Sequence, residues 1–251
     1  MAPRRGDVGA ARDLTALLAL FDLDGTLFLT HDPLSGRALV ETLARVYGVE
    51  VSADAPANVE HRGLTAKRIA RNVLRAAGLA GAAVDQRLDA WCAAFAESYL
   101  ELLSEADTSG WQTRPGAAEG LARLQTEGIR LALVTGNPEP VARARLQRLG
   151  LARFFPPGEG AFGCEAEERA ALLELARVRA GDWPAAATAE IGDTPTDVVT
   201  AKAAGFRSIA VSSPRTRDRA ELAGADQIVD DMDGIVRALL EADRYRSARG
   251  A

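Results

Sequence analysis

Residues 15–26 read TALLALFDLDGT, and the reading of this stretch decides the fold. Its apolar part, through Phe21, has none of the gaps of an amphipathic helix, as expected of a strand buried on both faces. The strand runs straight into Asp22-Leu23-Asp24-Gly25-Thr26. In open α/β sheets, ligands bind outside the carboxyl ends of the strands, and that is where this loop falls. Asp22 and Asp24 stand two apart, so on extended backbone their side chains share a side. Gly25 lets the chain turn sharply away. Two carboxylates crowded into a half-buried loop repel one another unless a cation lies between them. Ligation by oxygen alone suits Mg2+. The plainer reading is a solvated acidic turn, because Asp-Gly is a common turn pair.

Further short apolar runs lie at 129–134, 188–191, 208–212 and 227–229. Amphipathic stretches at helical spacing separate them, at 116–127, 138–149, 166–180, 195–204 and 233–243. Strands alternating with helices predict a Rossmann-like α/β core, a parallel sheet with helices on both faces. Residues 36–105 break the alternation. They hold helical patterns at 36–47, 62–77 and 84–104, punctuated by Gly48, Gly78 and Gly81. This predicts an all-α domain over 31–111 inserted into a core of 14–30 and 112–245, with a disordered leader over 1–13. Arg114, Pro115 and Gly116 mark the return to the core, Pro115 and Gly116 suiting a turn that starts the next helix.

Composition removes other classes. Of 251 residues, 47% are hydrophobic and 26% charged, as in ordinary globular proteins. The net charge of -5 lacks the basic footprint of a nucleic-acid binder. The apolar run from Leu17 to Phe21 is far too short to span a bilayer. Arg4 and Arg5 precede that run, but Asp22 and Asp24 follow it where a signal peptide needs small residues. Two cysteines, Cys92 and Cys164, make no disulfide framework and read as small buried residues. With His31 and His61 they leave no zinc constellation. A cytoplasmic location is expected from the lack of an anchor or a disulfide set.

Asp22-Leu23-Asp24-Gly25-Thr26 resembles the first motif of the haloacid dehalogenase-like hydrolases. Leu133-Val134-Thr135-Gly136-Asn137 is similar to their second motif, a strand ending in a hydroxyl residue. Glu190-Ile191-Gly192-Asp193-Thr194-Pro195-Thr196-Asp197 resembles the fourth. Pro195 fits the first turn of a helix, and the plain alternative for Asp193 is a helix N-cap. The third motif departs from the pattern. The family has a lysine there, whereas Lys67 and Lys202 both lie elsewhere. Arg169 is the best stand-in, with a planar fork in place of a point charge.

The resemblance implies a Mg2+-dependent phosphatase acting on a small phosphorylated metabolite. It makes Asp22 the nucleophile that forms an aspartyl-phosphate and Asp24 the acid and base at the leaving oxygen. Asp22, the backbone carbonyl of Asp24 and Asp193 would hold the metal, with Asp197 in or near that shell. Thr135, Gly136, Asn137 and Arg169 would bind the phosphoryl oxygens. The family's carbon–halogen and phosphonate hydrolases lack an acid at the position of Asp24. The helical insertion looks like the family's cap, which closes over the site. Within it, His61-Arg62-Gly63-Leu64-Thr65-Ala66-Lys67 carries Arg62 as a candidate substrate contact. Its basic residues stand where the helix dipole disfavours them, which points to an outside anion; the plainer reading is a solvated charged face. Trp91, Phe95 and Tyr99 recur every four residues as a core seam. The competing readings are a phosphomutase of the same fold and a catalytically silent binding module.

Overall fold

A computed structural model of the protein describes residues 16–249, so the leader expected over 1–13 lies outside the described residues. Six parallel strands form one sheet: β1 (Leu18–Phe21), β2 (Arg130–Thr135), β3 (Ala161–Phe162), β4 (Thr188–Gly192), β5 (Arg207–Val211) and β6 (Gln227–Val229). Their order is β3-β2-β1-β4-β5-β6. The direction of winding therefore reverses at β1, the place where such sheets open a binding crevice. Phe21 is in register with Leu133 on one side and Ile191 on the other. That register brings the three acidic or hydroxyl-bearing loops out of the sheet at one level.

Helices α1 (Pro33–Tyr47), α2 (Ala66–Ala76), α3 (Gly81–Asp85) and α4 (Leu88–Glu105) all fall between β1 and β2. The rest, α5 (Ala117–Thr126), α6 (Glu139–Arg148), α7 (Arg169–Arg179), α8 (Pro195–Ala203) and α9 (Met232–Arg249), cover the sheet. Alternate residues of each strand face opposite layers. Ala19 and Phe21 join Leu121 of α5, Leu146 of α6 and Leu239 of α9. Leu18 and Leu20 join Leu172 and Leu173 of α7 and Ala201 of α8. All four residues of β1 are fully buried, each large side chain contributing about 1.5–3 kcal/mol.

The insertion has its own apolar cluster, with Leu43, Leu74, Trp91, Phe95 and Tyr99 at its centre. Trp91 and Phe95 stack at 5.1 Å, as the seam predicts. The cluster also takes in Val141 of α6, so insertion and core share one apolar joint. The two connecting segments run side by side: Leu29 N–H donates to Gln112 O at 2.9 Å, and Gln112 N–H to Thr30 Oγ1 at 2.8 Å.

Sequence periodicity and structure differ at identifiable places. α1 starts three residues early because Asp32 caps it and Pro33 takes its first position. α2 starts four residues late because Thr65 is its N-cap. The pattern at 84–104 is divided into α3 and α4. β3 has two residues and so no periodicity to read. The reading of the cysteines is corrected outright: Cys92 of α4 and Cys164 of the core form a disulfide, with Cα atoms 6.0 Å apart. They lie 72 residues apart in the chain, and only the docking of α4 beside β3 brings them together. The bond also withdraws one of the two grounds for a cytoplasmic location. Among the described residues no helix is long and apolar enough to cross a membrane.

Candidate active site

The carboxyl ends of β1, β2 and β4 meet in two adjoining charge clusters. The first surrounds Asp22. Arg169 opens α7 with its side chain 3% exposed. Its Nη2 lies 3.2 Å from Asp22 Oδ1, 3.3 Å from Glu190 Oε1 and 2.8 Å from Asp197 Oδ1. Carboxylate oxygens of Asp22, Asp193 and Asp197 fall within 4.8 Å of one another. Asp193 does not cap α8. Thr194 does, sharing reciprocal hydrogen bonds with Asp197, whose Oδ2 accepts from Thr194 N–H at 3.0 Å and Oγ1 at 2.7 Å. Gly25, at φ +87°, is required here twice over. Its backbone is left-handed, and a Cβ would strike the Asp193 carboxylate.

The electrostatics follow from this crowding. Burial drives the Asp22 carboxyl well above its usual value; Arg169 opposes that, while Asp197, Asp193 and Asp24 add to it. Glu190 is raised in the same way, by burial first. Asp193 is also raised by burial, against the pull of Arg215. Burial lowers the Arg169 guanidinium, but Asp197, Asp22 and Glu190 more than offset it and hold it above its ordinary value.

These residues fit a divalent cation. Asp193 Oδ1 is buried with no hydrogen-bond partner among the described residues, while its Oδ2 accepts from Ser213 Oγ at 2.6 Å. Arg215 donates to the backbone carbonyl of Asp24 at 2.5 Å and stands 3.8 Å from Asp193, so positive charge already gathers at two of the expected ligands. An idle carboxylate oxygen beside two more acids is the donor set of an oxygen-ligated metal.

The second cluster surrounds Asp24, whose side chain is 33% exposed. Arg145 Nη1 donates to its Oδ1 at 2.9 Å and Oδ2 at 3.1 Å. Asn137 Nδ2 donates to Oδ2 at 2.5 Å and to Thr135 Oγ1 at 2.9 Å. Thr135 itself is fully buried at the end of β2. A fourth arginine also holds the loop's backbone: Arg114 donates to Gly25 O at 2.8 Å and Thr26 O at 2.7 Å.

The insertion closes directly on these loops. Ala66 N–H donates to Gly136 O at 2.8 Å, and a Cβ at Gly136 would strike Leu64 O. Thr65 Oγ1 donates to Glu167 O at 2.7 Å. The basic residues of this stretch meet acids of the chain itself: Arg62 with Glu221 at 3.1 Å, Lys67 with Asp89 at 2.6 Å, and Arg71 with Glu167 at 2.5 Å. Arg62 uses Nη1 for this, while its Nε and Nη2 are buried without hydrogen-bond partners among the described residues. His31 is exposed.

The structure thus gathers Asp22, Asp24, Thr135, Gly136, Asn137, Arg169, Asp193 and Asp197 at one end of the sheet. Sequence reasoning gave no site role to Glu190, Arg145, Arg215, Asp32 or Tyr99. Glu190 carried a signal, a charge inside an otherwise apolar strand; the others carried none.

Comparison with known proteins places the chain in a family. The chain belongs to the haloacid dehalogenase-like hydrolases, whose pattern it matches over residues 17–205. It is 33% identical to a phosphoglycolate phosphatase of Rhodospirillum rubrum over 223 residues, covering 84% of this chain and 86% of that one. It is 32% identical to phosphoglycolate phosphatase 1 of Pseudomonas aeruginosa, covering 78% and 69%. Among solved structures it is similar to CbbY from Rhodobacter sphaeroides in complex with phosphate, with a TM-score of 0.63, 27% identity, and 86% and 95% of the two chains covered.

Proposed function

We propose that the protein is a Mg2+-dependent phosphatase that hydrolyses a small organic phosphate monoester through an aspartyl-phosphate on Asp22. The observation that carries this reading is the burial of Asp22 between the Arg169 guanidinium and the carboxylates of Asp193 and Asp197. Phosphoryl transfer needs positioning and charge neutralisation more than covalent chemistry. Asp22, Asp193 and the Asp24 carbonyl would hold the cation, with Asp197 beside them. When bound, it would offset the repulsion between a carboxylate and an anionic phosphoryl group.

Asp22 attacks phosphorus as the bond to the leaving oxygen breaks, and Asp24 gives that oxygen a proton. Asp24 then takes a proton from water, whose oxygen displaces Asp22 and releases inorganic phosphate. Thr135, the backbone at Gly136, Asn137 and Arg169 hold the phosphoryl oxygens. The insertion is the cap that excludes other water. The two idle donors of Arg62 support a substrate with a second anionic group. The R. rubrum relative is a phosphoglycolate phosphatase, so 2-phosphoglycolate, which has a carboxylate, heads the panel to assay.

The test is hydrolysis of 4-nitrophenyl phosphate and a panel of alkyl phosphates with Mg2+, with EDTA, and by Asp22→Asn. Turnover lost in both controls is the expected result. Turnover that survives Asp22→Asn overturns the nucleophile, and a folded protein idle across the panel overturns the phosphatase reading.

A further inference from the structure

Arg145 is a buried charge beside the site that the proposed chemistry leaves unused. Its side chain is 3% exposed, and burying a guanidinium is costly unless every donor is met. Here its donors are met from both halves of the molecule. On the core side, Nη1 serves both Asp24 oxygens and Asn137 Oδ1, the last at 3.0 Å. On the insertion side, Nη2 donates to Asp32 Oδ2 and Ser35 Oγ, each at 2.5 Å. Nε donates to Tyr99 Oη at 2.9 Å, which in turn donates to Asp32 Oδ2 at 2.7 Å. The guanidinium also lies against the Tyr99 and Phe28 rings, 5.1 and 5.6 Å from their centroids.

The parts of this network have distinct origins. Arg145 stands on α6, which begins just after the Thr135-Gly136-Asn137 turn. Asp32 caps α1 through its other oxygen, with Leu34 N–H donating to Oδ1 at 2.9 Å. Tyr99 belongs to α4. A planar fork with three partners on the insertion cannot keep its aim if those partners withdraw. Asp24 Oδ2 accepts from both Arg145 and Asn137, whereas Oδ1 accepts from Arg145 alone, which leaves Oδ1 a lone pair for the proton it must carry.

We infer that Arg145 is a positioning residue: docking of the insertion through Asp32 and Tyr99 fixes its guanidinium, and the guanidinium fixes the Asp24 carboxyl for proton delivery to the leaving oxygen. This rests on the role of Asp24 proposed above. It differs from simple adhesion between two domains in what it does to rates. A misaimed acid matters for a poor leaving group and little for a good one.

The experiment measures kcat and KM of Arg145→Met and Tyr99→Phe with Mg2+. One substrate is 4-nitrophenyl phosphate. The other is 2-phosphoglycolate, or the alkyl phosphate that the panel finds fastest. For Arg145→Met, kcat on the alkyl ester is expected to fall about tenfold or more, part of the 10²–10⁴ that a general acid supplies. On the aryl ester it falls less than about threefold, and KM stays nearly constant. Tyr99→Phe keeps the arginine and the ring, and shows the same split at smaller size. Combining Arg145→Met with Asp24→Asn costs no more on the alkyl ester than Asp24→Asn alone, because both act on one group. Equal losses on the two esters, or no loss, overturn the inference. Should Arg145→Met not fold, Tyr99→Phe decides by the same criterion. A split in Asp24→Asn without one in the arginine and tyrosine variants overturns this inference alone. No split in Asp24→Asn overturns the acid assignment beneath it.

Discussion

Asp22 and Asp24 sit two residues apart in one loop, each held by a buried arginine, yet the two centres are assembled from different parts of the protein. Every partner of Arg169 comes from the sheet core: Asp22 after β1, Glu190 in β4, Asp197 in α8. Arg145 joins Asp24 to Asp32, Ser35 and Tyr99 of the insertion. The Asp22 centre is therefore complete in the core alone, and the Asp24 centre is complete only when the insertion is docked. Under the proposed chemistry, the first binds phosphate and cation, and the second finishes the site at closure.

The largest effect expected from this contrast is on turnover. Asp22→Asn should lower kcat on every ester by about 10⁴-fold or more, the scale on which loss of a covalent nucleophile acts. If Asp24→Asn does the same on an aryl ester, the two centres are not separable. Stability gives the next largest effect. Arg169→Met leaves Asp22, Glu190 and Asp197 uncompensated, and denaturant melts at pH 8 should show a loss of about 3–5 kcal/mol. Mg2+ should recover part of this, and a smaller part of the loss in Arg145→Met, which strands Asp24 beside the cation and Asp32 across the joint. Reduction of Cys92–Cys164, or Cys92→Ser, should cost about 2–4 kcal/mol. The accompanying rise in hydrogen exchange should concentrate at 61–67 and spare β1.

The smallest effect concerns pH. Asp22, Glu190 and Asp193 are raised in the folded protein, so between the ordinary carboxylate range and their folded values the native state binds more protons than the unfolded state. Stability without metal is then greatest below the ordinary values and falls as pH rises through the folded ones, by roughly 1 kcal/mol or more. Mg2+ replaces those protons, so its stabilisation should be greater at pH 8 than at pH 5.5 in paired thermal melts. A larger stabilisation at pH 5.5 would remove the metal from the Asp22 centre.

How far each centre could be read from the sequence follows the same division. Asp22, Thr135 and Asp193 stand at the ends of apolar runs, and parallel register aligns those ends. The Asp22 centre is thus written in local pattern. Arg169 was legible as the basic residue opening the helix before the fourth motif. Arg145 was not, because one arginine on a polar helix among 30 basic residues carries no mark of burial. Tyr99 read correctly as a core residue, while its hydroxyl role depends on where α4 meets α6. The cysteine pair escaped for the same reason: a contact made by docking two domains leaves no periodicity in either.

The disulfide also bears on the kinematics of the insertion. Its two connecting segments run together beside the end of β1 and act as one hinge line. A body on one hinge line keeps a single rotation. Cys164 follows β3, two strands away in the sheet, which sets the third attachment roughly 10 Å off that line at the usual strand spacing. An off-axis attachment removes the rotation. With the bond intact the insertion is held covalently to the core at three places, its two connecting segments and Cys92–Cys164, and in the dithiol form at two.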